Sequence, residues 1–417
     1  MADISAIETA SGAALLVEKI SGVNSVALNW LVPFGHAHDP VDRLGRASVL
    51  SEMLMRGDEQ RDSREQADAF DRIGASRGID PGKRYMRFST TVLSDRFADA
   101  AALIADNVLR PRLGQAALSP AQDLAQQSLE SLQDDPQQLA VIGARARHHQ
   151  EPLNRSGYGT AEGIAALTAD DAGAHWLAAA KPVSSIVSVA GNVTAEQAEA
   201  VFAPLFAGWQ GEATGFELGG EPPRGYAHHD DAEANQVQIV VVHDGPKESD
   251  DESVLERFVA SVLSGGMSGR LFTEVREKRG LCYSVSASFA AEKDRGTTTA
   301  YVGTTPERAQ ESIDVLTQEL VRITTEAGAI TPDEFERAKV GMKSRLVFSG
   351  ESSGARAAAL ASDWHRIGRT RTLEEMAQRI DAVTLDAVNA YARTRTLGRV
   401  TVQTLGPKAL TVPADLK

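Results

Sequence analysis

The sequence has a single cysteine, Cys282, so no disulfide can form within the chain and its composition gives no sign of an oxidising compartment. Runs of lysine or arginine are missing as well. With a formal net charge of −14, the chain lacks the basic footprint that a nucleic-acid binder or an anionic-membrane binder needs. No stretch approaches the roughly 18 consecutive apolar residues of a membrane-spanning helix. The opening Met1-Ala2-Asp3-Ile4 has neither the basic nor the long apolar region of an export signal, so a cytoplasmic location is expected. Glycine-rich phosphate loops of the two common kinds are absent, and none of the nine histidines falls in H-x-x-E-H or H-E-x-x-H.

What is present is an ordinary globular balance, 42 % apolar and 24 % charged over 417 residues, enough for two or three domains that each bury a core. The acidic surface is compatible with basic peptide substrates, although acidity is also common among soluble proteins.

The most informative feature is a faint internal repeat with a period near 212 residues. Asn24-Ser25-Val26-Ala27-Leu28 resembles Asn235-Gln236-Val237-Gln238-Ile239, each opening a strand that ends at Gly35 or Gly245. Ala47-Ser48-Val49-Leu50-Ser51 is identical to Ala260-Ser261-Val262-Leu263-Ser264. Ser119-Pro120 matches Thr331-Pro332, each read as an N-cap followed by proline at the first helical position. Ile164–Ala174 matches Ile380–Ala390 at five positions, with a threonine or aspartate able to cap the next helix.

Each half reads as strand (24–34; 235–243), apolar helix (44–56; 252–264), strand (84–93; 282–290 and 297–303) and amphipathic helix (Asp95–Leu109; Pro306–Ile323). Long helices (120–132; 332–347) and closing strands (185–190; 398–404) follow. Strands and helices without a strict βαβ rhythm predict an α+β fold of two homologous halves, 1–207 and 232–417. The intervening 208–231 is dense in glycine and proline and reads as a linker, so two similar bowls could close round a peptide.

Chemistry concentrates in Ser268-Gly269-Arg270-Leu271-Phe272-Thr273-Glu274-Val275-Arg276, followed by Gly280-Leu281-Cys282-Tyr283-Ser284-Val285. A guanidinium offers forked donors to a peptide carbonyl, and a phenol can donate to an oxygen that becomes negative in a tetrahedral transition state. The plain alternative is a surface ion pair of Arg276 with Glu274 or Glu277 and a Tyr283 packed in a sheet. The pattern S-x-R-L-F-x-x-x-R-x-x-x-G-L-x-Y-x-V resembles the C-terminal-half signature of the pitrilysin/insulinase metallopeptidases. The stretch around Tyr158-Gly159-Thr160 and Gly163-Ile164 resembles the family's Y-G-x-x-x-G-x-x-x-x-I. The resemblance covers nearly the whole chain and implies that Arg276 and Tyr283 reach over a catalytic chamber.

Active members carry H-x-x-E-H, in which two histidines bind zinc and the glutamate activates water, with a further glutamate some seventy-five residues on. Aligned on Leu44-Gly45 and Met53-Leu54, the motif falls on Ser48-Val49-Leu50-Ser51-Glu52. Ser48 and Glu52 then replace the histidines and Ser51 the general base. The distal glutamate falls near Gln127 or Ser128, with Glu130 about half a helical turn away. Two hydroxyls and one carboxylate make a poor zinc site.

His36-Ala37-His38-Asp39, after Gly35, reads as a solvated turn rather than a metal site, and His228-His229 as linker residues. Cys282 reads as a buried, inert thiol. The resemblance therefore implies a chain inactive alone and without a cofactor of its own. It would be the substrate-orienting, non-catalytic subunit of a heterodimer whose homologous partner bears the zinc, with peptides as substrates. A scaffold protein without catalytic role, or an enzyme with another metal site, are the alternatives.

Overall fold

The computed structural model describes residues 3–416. The first half opens with β1 (Asp3–Glu8), β2 (Ala14–Lys19) and β3 (Ser25–Val32), then α1 (Arg46–Leu54) and α2 (Ser63–Arg72). The hairpin β4 (Ser76–Pro81) and β5 (Met86–Leu93) leads into α3 (Phe97–Leu109), α4 (Gln115–Ser131), α5 (Pro136–His148), α6 (Ala161–Ala165) and α7 (Ala169–Ala179). β6 (Ile186–Gly191) and α8 (Ala195–Leu205) close it. The second half has β7 (Gly225–Asp230), β8 (Val237–Gly245), α9 (Glu252–Ser264), a π-helical turn at Phe272–Glu277 and the hairpin β9 (Cys282–Ala291) and β10 (Gly296–Thr304). It continues through α10 (Ala309–Arg322), α11 (Pro332–Gly350), α12 (Ser353–Ile367), α13 (Leu373–Asp381), α14 (Leu385–Thr394) and β11 (Thr401–Gly406).

The strands form two sheets, ordered β1-β2-β6-β3-β5-β4 and β7-β11-β8-β10-β9. With β1 set aside the two orders coincide. In each, the one parallel pair occupies the same place, β2 with β6 and β7 with β11, and the other pairs are antiparallel. The α+β class and the duplication are therefore features of the fold. Thr168 and Thr384, matched in the repeat, cap α7 and α14 by accepting from the amides of Asp171 and Ala387. Thr331 and Glu334 cap α11 reciprocally, the Glu334 carboxylate accepting from the Thr331 amide and the Thr331 hydroxyl from the Glu334 amide. Ser119-Pro120 is different: α4 begins five residues earlier than Pro120, at Gln115, so Ser119 is not an N-cap. Pro120, the sixth residue of α4, has no amide to bond the Ala116 carbonyl, so the helix tolerates there the same Ser-Pro pair that elsewhere marks a start.

Packing groups the elements differently from chain order. One compact unit comprises the chain up to Ser131, Glu151–Gly219 and Phe348–Leu373; the other comprises Leu132–Gln150, Gly220–Val347 and the chain from Glu374 onward. Each sheet thus carries one helix from the opposite half. In the first unit, one face of the sheet packs Trp30, Phe34, Leu50, Phe88, Ile104 and Phe202 into the main core. The other face is covered by α12: Leu360 and Ala361 meet Leu16 and Ile186, and Ala357 meets Ala27 and Ala190, small residues that let the helix sit close. A strand covered on both faces should be apolar throughout, and β6 is buried at every position. In the second unit Ile239, Val241, Phe258, Leu263, Leu316 and Val402 form the main core, while Ala140 and Ala144 of α5 pack on Val240, Val242 and Leu405.

The stretch 208–231 is only partly linker. Trp209 donates to the Ala180 carbonyl at 2.8 Å and packs edge-on against Trp30, and Gly225–Asp230 is β7 itself.

Candidate functional site

In the first unit α1 carries the positions of the degenerate zinc motif. Asp39 holds its start, accepting from the amides of Gly45 and Ala47 at 3.1 Å each. Gly45 sits at φ +101°, and a Cβ on Gly159 or Gly163 would lie 2.5 Å or less from the Leu44–Gly45 backbone. The Tyr158-Gly159…Gly163 stretch therefore uses glycine to let one loop press on the first turn of α1. Between them lies a cavity of about 270 Å³ lined by Ser48, Ser51, Glu52, Ser128, His36 and Tyr158, with Leu124, Ala125 and Gly157. The predicted residues Ser48, Ser51 and Glu52 are brought together on it. Gln127 is exposed and absent from the lining, and its neighbour Ser128 faces the cavity in its place.

The hydroxyls are already engaged. Ser48 donates to the Gly157 carbonyl at 2.5 Å, Ser51 to Ser48 at 2.7 Å and Ser128 to Leu124 at 2.9 Å. His36 is not a solvated loop residue: it lies in a short 3₁₀ turn, 9 % exposed, and its buried Nδ1 has no hydrogen-bond partner. Burial lowers its pKa, and it lowers that of half-buried His38 to about 4.

In the second unit the sequence-predicted pair comes together. The π-helical turn carries Phe272 and Arg276, and the Arg276 guanidinium lies 4.8 Å from the Phe272 ring centre and 5.2 Å from that of Tyr283. The expected alternative, an ion pair with Glu274 or Glu277, is not found among the described residues, and Glu274 is held instead by Lys278 at 2.8 Å and Arg279 at 2.9 Å. Tyr283 does not pack in the sheet; it is 83 % exposed. The cause is a bulge: Thr304 pairs with Cys282 and Gly303 with Ser284, leaving Tyr283 as the extra residue of β9. Cys282 beside it is half-buried, and burial pushes its thiol up to about 11 against the opposing pull of Arg276. A thiol with that pKa is a poor nucleophile at neutral pH. His228, read as a linker residue, lies on β7 and bonds the Thr404 hydroxyl at 2.8 Å.

Residues 15–160 match the sequence family described as "Insulinase (Peptidase family M16)", and residues 167–342 match that described as "Peptidase M16 inactive domain". The chain belongs to the M16 peptidase family. Among its curated relatives is an "uncharacterized zinc protease", YmxG, of Bacillus subtilis, 27 % identical over 92 % of this chain and 93 % of that protein. Another zinc protease so described, from Mycobacterium leprae, is 26 % identical over 97 % of this chain and 93 % of its own. A solved structure of a peptidase M16 inactive domain from Pseudomonas fluorescens shares the fold at TM-score 0.86 and 22 % identity, covering 99 % of both chains. A chain of Complex III2 from Candida albicans does so at TM-score 0.80 and 14 % identity, covering 97 % of this chain and 96 % of that one.

Zinc of the M16 kind does not fit the residues this member presents. The cavity offers one imidazole and one carboxylate, and its three serine hydroxyls are neutral groups hydrogen-bonded to main-chain carbonyls. Among the described residues no cluster of three or more His, Cys, Asp or Glu side chains is arranged to hold a metal ion. No helix among them is long and apolar enough to cross a membrane.

Proposed function

We propose that this chain is the non-catalytic, substrate-orienting subunit of a two-chain zinc endopeptidase, with Arg276 and Tyr283 acting on a peptide held at the zinc of a homologous partner. The observation that carries this reading is the state of the pair. Arg276 has no carboxylate partner among the described residues, its guanidinium rests between two aromatic rings, and Tyr283 is turned outward by a bulge. A structural arginine would be neutralised by the neighbouring Glu274, which instead takes two other cations. Held in this way, Arg276 keeps donors for a peptide carbonyl, and the Tyr283 phenol can donate to the oxygen that becomes negative as the peptide bond is attacked. Glu52, Ser48, Ser51 and Ser128 supply no metal-activated water, so the nucleophile belongs to the partner.

The test is reconstitution. The purified chain is mixed with an M16 chain bearing H-x-x-E-H from the same source, and cleavage of a quenched fluorescent peptide is followed. Cleavage that requires both chains and falls with Tyr283→Phe supports the reading. Cleavage by the partner alone at the same rate refutes it. The scaffold reading draws on the fold shared with a chain of Complex III2; it predicts co-assembly in which Arg276 and Tyr283 substitutions have no effect.

A further inference from the structure

The first unit holds a second cavity, about 400 Å³, lined by Arg56, Arg64, Arg112, Asp62 and Ser63, with Gly114, Ala116 and Ala117. Arg56 follows the end of α1, Arg64 lies in the first turn of α2 and Arg112 in the loop between α3 and α4. Two other arginines in this neighbourhood are neutralised. Arg61 binds Asp58 at 2.9 Å and Asp106 at 3.0 Å, and Arg110 binds Asp106. The three that face the cavity have no carboxylate partner among the described residues. The Nε of half-buried Arg56 is enclosed without any hydrogen-bond partner, and Arg112 reaches only the Glu59 carbonyl, at 3.4 Å.

The one carboxylate on the lining, Asp62, is turned to its own helix, where it accepts from the amides of Arg64 and Glu65 at 2.9 Å. Its own amide donates to Glu65. The two loops that carry the arginines are joined main chain to main chain, Glu59 N–H to Arg110 O at 2.9 Å and Arg112 N–H to Gly57 O at 3.1 Å. The backbone that carries Arg56 and Arg112 is therefore tied together before any ligand arrives, which lowers part of the ordering cost of binding.

Three arginines line one cavity with a single, internally engaged carboxylate, a local excess of positive charge in a chain whose net charge is −14. Mutual repulsion opposes gathering three unpaired cations in one place. We propose that this cavity is a binding site for a compact phosphate-class dianion, either inorganic phosphate or the phosphate of a small monoester. Guanidinium forks match phosphate oxygens two at a time, Arg56 from the floor and Arg112 and Arg64 from the rim. The Ser63 hydroxyl at the start of α2 is a further donor. The site is separate from Arg276 and Tyr283 and does not depend on the peptidase reading.

The full-length chain is titrated calorimetrically with sodium phosphate, with phosphoserine and with acetate at matched ionic strength. Saturable 1:1 binding of phosphate or phosphoserine, without comparable acetate binding, is expected, and the tighter of the two names the source. Losing one charge-assisted fork should weaken binding by roughly ten-fold or more in Arg56→Gln and in Arg112→Gln. Arg112→Lys, which keeps the charge and loses the fork, should fall between. Arg43→Gln, whose guanidinium pairs with Asp42 away from the cavity, should bind as wild type. Arg112 is exposed, so its variants keep the test valid if the Arg56 variant does not fold. Absence of saturable phosphate or phosphoserine binding overturns the proposal. So does equal affinity in the Arg112→Gln chain, or acetate binding as tight as phosphate.

Discussion

Replacing Arg356 by methionine leaves a charged group stranded in the interior. Arg356, in the first turn of α12, donates through Nε to Glu18 of β2 at 2.8 Å, and its Nη2 lies 2.8 Å from the same carboxylate oxygen. The side chains are 2 % and 4 % exposed, so water cannot take over when one is removed. Breaking such a pair from one side costs about 3–5 kcal/mol, because the remaining charge loses its compensation. That is a large part of the 5–15 kcal/mol typical of a folded domain. With an m-value of roughly 2–3 kcal/mol/M in urea for a unit of this size, the midpoint should fall by roughly 1–2 M. The partner substitution Glu18→Met alone should be comparably damaging. The double variant Arg356→Met, Glu18→Met should return to within about 1 kcal/mol of wild type, since an apolar pair of similar volume has no ion to desolvate. Intrinsic fluorescence reads this unit selectively: all four tryptophans, Trp30, Trp176, Trp209 and Trp364, belong to it. A single substitution that shifts the midpoint by less than 0.5 M (about 1 kcal/mol), or a double variant as unstable as the two losses summed, would refute the reasoning.

Three further expectations follow from the sites. In the reconstituted two-chain enzyme, Tyr283→Phe should lower turnover about 10²–10³-fold, the usual cost of one oxyanion donor, and Arg276→Ala should also raise KM; size-exclusion chromatography should show assembly unchanged in both. Purified chain should hold well under one equivalent of zinc by metal analysis. Ser48→His, Ser51→Glu and Glu52→His together should bind zinc only weakly, because no carboxylate stands at Ser128; tight stoichiometric zinc in the wild type would contradict the reading. The second unit should lose stability in mild acid through His243, which is fully buried and pulled down to about 3 by burial and by Arg395. Its Nε2 accepts from Arg395 at 3.1 Å and its Nδ1 donates to the Asp244 carbonyl at 2.8 Å, so the folded state has no room for a second proton. The unfolded chain binds that proton below about pH 6.5. Stability is therefore full above that pH and falls by roughly 3 kcal/mol by pH 4. Urea unfolding followed by circular dichroism should show this slope, and His243→Gln should flatten it.

Much of the fold was legible because the relevant physics is local. The Ala-Ser-Val-Leu-Ser repeat marks equivalent helices, α1 and α9, and Thr168 and Thr384 cap helices because a hydroxyl placed before a helix meets its free amides. Ser119-Pro120 misled for the same reason, since the local pattern of a helix start also fits inside α4. Ser48, Ser51 and Glu52 share a cavity because they lie one turn apart on one helix. The facing position was assigned to Gln127 rather than Ser128 because the phase of α4 against α1 is set by packing.

By itself the sequence determined the duplicated α+β plan, carried by residue type and spacing; the nearness of Arg276 and Tyr283 came from the family resemblance, since spacing alone fits a plain surface arginine and a sheet tyrosine equally well. Only the tertiary structure decided that α5 and α12 each cover the sheet of the opposite half, since periodicity shows which face of a helix is apolar but not which sheet will bury it. It alone set the bulge that turns Tyr283 outward, because strand register depends on the partner strand. And it alone gathered Arg56, Arg64 and Arg112 around one cavity, three charges on two loops and a helix start whose meeting follows from how α1, α2 and α4 pack.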